Sequence, residues 1–222
     1  MFRDTFIYKG LRRLIKGSEL QRRFTKIYEQ NGFGGRESVS GPGSDLSQTA
    51  AVREALPGVL RQIGARSMLD APCGDLFWMK QLQLDLDRYI GADIVATLIA
   101  ENKRRFAGTK REFKVLDITR DPLPTVDVIL CRDCLVHLPF AAITAALQNF
   151  KRSGSRYLLT TTFIERPDNS DIPAGFWRPL NLARAPFHFP PPELAIDERC
   201  TEDGGQYPDK RLSLWKIEQL PG

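Results

Sequence analysis

Four aspartates recur where apolar runs of this sequence end: Asp70 in DAPCGD, Asp93 in YIGADI, Asp117 in VLDIT and Asp133 in CRDCLVHLP. An ionised aspartate only accepts hydrogen bonds, so several converging on one place suit a ligand rich in hydroxyl and amino groups. Asp70 and Asp75 flank Pro72, Cys73 and Gly74, and the glycine lets backbone approach a ligand closely. Asp93 follows Asp70 by 23 residues, near the spacing at which a carboxylate takes both hydroxyls of a ribose. Asp117 is positioned to meet a base edge. Any one of these could be a turn or helix cap; their recurrence at successive strand ends is what points to a site.

The fourth run ends in Arg132 and Asp133, with His137 four residues on, one of only two histidines. A hydroxyl ionises far above neutrality, so chemistry at one requires a base. His137 or Asp133 could remove that proton, Asp133 could instead orient the imidazole, and Arg132 could hold an anionic group or pair with Asp133. The competing reading is that His137 caps or packs beneath the turn. Cys131 and Cys134 form a lone C-x-x-C close to Cys73; without a fourth ligand at metal spacing they read as packed free thiols.

These residues need a frame. Ser67–Ala71, Tyr89–Ala92, Phe113–Leu116, Val126–Cys131 and Tyr157–Thr162 are short, near-continuous apolar runs, with helices expected around 76–83, 95–106 and 139–151. That alternation predicts an α/β fold: a mostly parallel sheet buried on both faces by helices. Ala195–Cys200 and Leu212–Ile217, joined by EDGGQYPDK, predict an antiparallel hairpin closing the sheet. Upstream, a helix from Asp45 or Ser47 through Ala55 and a second from Pro57 to about Gly64 are expected.

Length and composition fit this frame: 222 residues, 42% hydrophobic, with no apolar stretch long enough to span a membrane. Free cysteines and a charged N-terminus predict a cytoplasmic protein. The net charge of +5 lies entirely in residues 1–40, and the rest carries 23 charges of each sign. A basic arm makes nucleic acid a possible partner but not a favoured one. The mixed three- and four-residue spacing of Phe2, Phe6, Ile7, Leu11, Leu14, Ile15, Phe24, Ile27 and Tyr28 predicts amphipathic helices interrupted near Gly17. They either pack on the domain or contact an anionic membrane.

Taken with the apolar run before it, DAPCGD followed by YIGADI, VLDIT and VILCRDCLVHLP resembles the class I S-adenosylmethionine-dependent methyltransferases over roughly residues 45–218. The resemblance implies a Rossmann-like, seven-stranded sheet with the terminal antiparallel hairpin, and S-adenosylmethionine as cofactor. Asp70, Pro72, Cys73, Gly74 and Asp75 would lie by its methionine part, Asp93 and Ile94 by the ribose, and Asp117 and Ile118 by the adenine, with Arg132 nearby. Only the middle glycine of the family's first motif survives, as Gly74. The chain then divides into a basic helical arm with a Gly/Ser-rich lid loop (1–44) and a methyltransferase domain (45–222) with a substrate-side insertion at 163–193. Arg178, Asn181 and His188 of that insertion are expected to wall an acceptor pocket, and the insertion and residues 38–49 to close over the cofactor. The acceptor expected is a small molecule or glycan, methylated at oxygen. The alternative is an RNA- or protein-modifying, or simply binding, module docking through the basic arm.

Overall fold

The computed structural model describes residues 17–221. Seven strands form one sheet: β1 (Ser67–Asp70), β2 (Arg88–Asp93), β3 (Arg111–Val115), β4 (Val128–Cys131), β5 (Tyr157–Phe163), β6 (Leu194–Asp197) and β7 (Lys210–Lys216). Their order is β3-β2-β1-β4-β5-β7-β6. The first five run parallel, and β7 pairs antiparallel with both β5 and β6. This is the expected Rossmann-like architecture. Val128, Ile129, Leu130, Leu158 and Leu159 are fully buried, because helices cover both faces of the central strands.

The helices are α1 (Glu19–Glu29), α2 (Ala50–Gln62), α3 (Ala96–Phe106) and α4 (Phe140–Arg152). Two expectations are corrected. The pair of short helices around Pro57 is one helix, α2, with Pro57 inside it. Val52, Leu56, Val59 and Leu60 continue one buried stripe across the proline, and that burial outweighs the lost backbone hydrogen bond. The helix expected over 76–83 is absent: only Met79–Gln81 forms a short 3-10 turn, and Leu76 sits at φ 58°. Leu76, Trp78, Met79, Leu82 and Leu86 are instead tied down individually in the apolar core.

Order reverses between β1 and β4, on either side of which the chain leaves for β2 and β5. A crevice opens there at the strands' carboxyl ends, where ligands bind in open parallel sheets. α1 and the loop to α2 lie across it. The N-terminal expectation concerning residues 1–16 lies outside the described residues; after Gly17 the expected amphipathic helix is present as α1.

Candidate active site

One cavity collects the strand-end residues singled out above: Asp70, Pro72, Cys73, Gly74 and Asp75 after β1, Asp93 and Ile94 after β2, Asp117 and Ile118 after β3, and Arg132, Asp133 and His137 after β4. Five carboxylates line it against one guanidinium. Asp70 is buried and accepts from the Tyr89 hydroxyl at 2.6 Å. Burial, with a smaller contribution from Asp93, raises its pKa to about 7 in spite of that hydrogen bond. Asp93 accepts from the Val95 and Gly74 amides, at 3.0 and 3.3 Å, and burial raises it to about 6. Each of its oxygens keeps lone-pair capacity for a further donor.

The turn after β1 is closely packed. Gly74 has φ 52°, and a Cβ there would come within 2.2 Å of Ser40 Oγ, so only glycine fits between strand and loop. Asp75 holds that loop, accepting from Ser38 Oγ at 2.8 Å and the Val39 amide at 3.3 Å. Asp117 accepts from the Thr119 amide and hydroxyl, and from Ser18 Oγ at 2.8 Å, while Gln21 donates to the Ile94 carbonyl at 3.0 Å. The start of α1 is thus fastened to the residues after β2 and β3. Its inner face adds Leu20, Phe24 and Tyr28 to the cavity, with Phe33 beyond its end. Their function went unassigned in the sequence reading, although the four-residue spacing of Leu20, Phe24 and Tyr28 is the signal of a single helix face.

Behind β4 lies a buried charge network. Arg132 donates to Glu198 Oε2 at 2.6 Å and to the Gly43 carbonyl at 2.9 Å, and pairs with Asp133 at 3.2 Å. Lys210 pairs with Asp133 at 2.9 Å and with Glu202 at 3.3 Å. Burial alone would push Asp133 up, but Arg132 and Lys210 hold its carboxyl well below the usual range. Asp133 is therefore ionised at neutral pH, a weak base, and already paired with Arg132 and Lys210, which argues against it as the proton acceptor. Arg132 is engaged with Glu198, Asp133 and the Gly43 carbonyl, so among the described residues no free cation lines the cavity for an anionic group.

His137 differs. Its Nδ1 lies 3.0 Å from the Phe176 carbonyl oxygen. A carbonyl can only accept, so Nδ1 carries the proton and Nε2 the lone pair. Burial lowers its pKa below 6.5, so the ring is neutral at pH 7. The Phe33 ring stands 4.7 Å away, tilted by 43°.

The insertion has another duty than the one expected. Within the described residues, none from 163–193 lines the cavity. Arg178 is buried and donates to the carbonyls of Leu135 and Leu138, its amide donates to Val136, and the Gly175 amide donates to His137. All four carbonyls of 135–138 are thereby held. Asn181 is buried, bonding to the carbonyls of Ile164 and Arg166, and His188 is exposed away from the site. These side chains hold the His137 loop and the insertion's own backbone, and do not face a ligand. Cys73 and Cys134 are pushed up as thiols, Cys73 by burial first and Cys134 by its hydrogen bond with Cys131, so both stay protonated.

Residues 68–154 match the model of a family described as a methyltransferase domain. No curated protein matches the sequence. Among solved structures, the magnesium protoporphyrin IX methyltransferase of Synechocystis PCC 6803 with bound S-adenosylmethionine superposes with a TM-score of 0.57 at 13% identity, covering 90% of this chain and 98% of that one. The 1,6-didemethyltoxoflavin-N1-methyltransferase of Burkholderia thailandensis gives 0.57 at 16% identity, covering 89% and 86%. A bacterial methyltransferase domain, CtHen1-CN, is spanned over 66% of its length, just under two thirds, at 0.47 and 13% identity. With the strand order in hand, residues 68–154 are similar to a methyltransferase domain, and the whole sheet has the fold of these methyltransferase structures.

Proposed function

We propose that the protein transfers the methyl group of S-adenosylmethionine to an oxygen of a small-molecule or glycan-like acceptor. The observation that carries this is His137: a neutral imidazole whose Nδ1 is tied to the Phe176 carbonyl, leaving Nε2 as an acceptor at the cavity wall. The cavity's donor set fits the cofactor. Five carboxylates suit a ligand bearing an ammonium and a sulfonium, and the close packing at Gly74 suits one held against backbone.

When bound, the cofactor supplies a methyl group already activated by its sulfonium. Asp93 is placed to accept from the ribose hydroxyls, Asp117 to meet the adenine amine, and Asp70 and Asp75 to face the amino-acid end. His137 takes the acceptor's proton at Nε2 as the new bond forms, and the imidazolium is stabilised by ionised Asp133. Phe24, Tyr28, Phe33, Phe77 and Trp78 give apolar walls for a ring and exclude water. A cavity with no uncommitted cation among the described residues favours a neutral acceptor over one bearing phosphate or carboxylate groups, and two structural neighbours are named for small-molecule substrates.

A methyl-donor turnover assay against pooled metabolite, glycan, RNA and protein fractions tests this. Label is expected in the metabolite or glycan pool as a methyl ether. Label confined to RNA or protein would transfer the function to a macromolecular acceptor reached through the basic arm.

A further inference from the structure

Leu76, Met79, Leu82, Leu84 and Leu86 border one space between their own segment and the start of β3, a cavity of about 170 Å³. All but Leu84 are buried, and Leu84 is half-buried. Tyr89 of β2 adds its ring alone to this apolar lining, because its hydroxyl is given to Asp70. Protein interiors hold few voids larger than a water, and an apolar cavity of roughly 150 Å³ takes a ring the size of benzene. None of these residues lines the candidate active site. Along the partition between the two spaces, Phe77 and Trp78 border the active-site cavity, whereas Leu76, Met79 and Lys80 border this one.

The rim carries one sign of charge. Lys80, Lys110 and Arg111 border the cavity, all three exposed, and among the described residues no carboxylate lines it. The neighbouring acids are committed elsewhere: Asp87 lies 3.8 Å from Lys110 but is held by Arg66 at 2.9 Å, and Glu112 pairs with Arg88 at 2.6 Å and Lys114 at 3.2 Å. Lys80 Nζ stands 4.7 Å over the Phe77 ring, and neither it nor Arg111 has an ion-pair partner among the described residues. An apolar lining beneath a cationic rim selects a ligand built from the opposite halves, since the body leaves water while the head meets fixed charges. The active-site cavity, lined by five carboxylates, would repel the same ligand. We propose that this cavity is a second binding site, taking a small amphipathic anion whose apolar body is about the size of a benzene ring and whose single anionic head meets Lys80 and Arg111.

The probe is 3-phenylpropionate. Titration calorimetry should show saturable binding, at least about tenfold tighter than that of 3-phenylpropan-1-ol, which keeps the body without the charge, and none with acetate, which keeps the charge without the body. Backbone amide NMR shifts should cluster around Lys80, Tyr89 and Arg111. Lys80→Glu with Arg111→Glu, at exposed positions, should weaken binding at least about tenfold. Leu84→Trp, which fills the cavity, should abolish it, and should that variant fail to fold, the charge-reversed protein carries the test. The proposal is overturned if the wild type shows no saturable binding, if the charge-reversed protein binds as the wild type does, or if the alcohol binds equally well. Shifts confined to Asp70–Asp75 and Asp93–Val95 would overturn it by placing the probe in the active-site cavity. No arm of the experiment uses S-adenosylmethionine, so its outcome is independent of the proposed methyl transfer.

Discussion

The two walls of the cavity are made differently. On the β1–β3 side, Asp70, Asp93 and Asp117 stand at the ends of strands locked by parallel pairing, so a short stretch of sequence fixes where each carboxylate lies. On the β4 side, His137 depends on distant chain: its ring is oriented by Phe176, its carbonyl by Gly175, and its loop by Arg178. α1, some hundred residues upstream, touches both sides, through its N-cap Ser18 on Asp117 and Arg23 on the Ala174 carbonyl. Under the proposed function, the contrast puts cofactor binding on strand-end carboxylates and acceptor chemistry on a loop held by distant chain, and predicts that each can be perturbed alone.

The largest expected effect comes from the buried charge network behind β4, which ties the end of that strand to Glu198 after β6, Lys210 of β7 and the Gly43 carbonyl. Arg132→Ala leaves Glu198 and Asp133 short of a partner in a buried place, and Glu198 Oε1 already has no hydrogen bond among the described residues. Unfolding should be easier by about 3–5 kcal/mol, lowering Tm by about 10 °C in a thermal melt. A Tm within a degree of the wild type would show that the network does not hold the end of β4 in place.

His137→Ala should cut turnover on a hydroxyl acceptor about a hundredfold. In the wild type at saturating cofactor, kcat/KM for the acceptor should fall only below a pKa under 6.5, since the protonated ring cannot accept a proton and burial already favours the neutral form. A rate that is flat down to pH 5 would contradict the base.

A smaller effect concerns the other wall. Asp70 and Asp93, raised to about 7 and about 6, are partly protonated in the cofactor-free protein near neutrality. Because their folded pKa values lie above the unfolded ones, they favour folding at low pH, and that contribution is lost as pH rises through about 6 to 7. A cationic ligand favours the ionised forms, so binding should release protons and tighten several-fold between about pH 6 and 7.5. Calorimetry in buffers of different ionisation enthalpy reads this directly; identical heats would contradict it.

The smallest expected effect is at Ser18, which caps α1 by accepting from the Gln21 amide and also donates to Asp117. Ser18→Ala should cost about 1 kcal/mol in stability, read as a Tm lower by about 2–4 °C.

What could be read from the sequence follows the same division. The four parallel strands β1, β2, β4 and β5 were legible because burial on both faces writes near-continuous apolar runs, whereas the edge strand β3, Arg111–Val115 with only Phe113 buried, was placed two residues late at its start; the aspartates were legible because they end those runs. The segment 76–83 was misread because its apolar residues fall at helical spacing, while Asp75, which accepts from the Phe77 amide as well as from Ser38 and Val39, holds the chain in a turn. Arg178 and Asn181 were misassigned because a polar side chain serving backbone carbonyls has the same letters as one serving a ligand. The tautomer of His137 was illegible, since it depends on a carbonyl 39 residues away.

The most direct test needs only the cofactor: the affinity for S-adenosylmethionine, by titration calorimetry, of Asp93→Ala beside His137→Ala. Separate duties for the two walls predict that Asp93→Ala binds about ten- to a hundredfold more weakly, having lost a charged acceptor for the ribose hydroxyls, while His137→Ala binds within about twofold of the wild type. Unchanged affinity in Asp93→Ala, or an equal loss in both, would contradict the account.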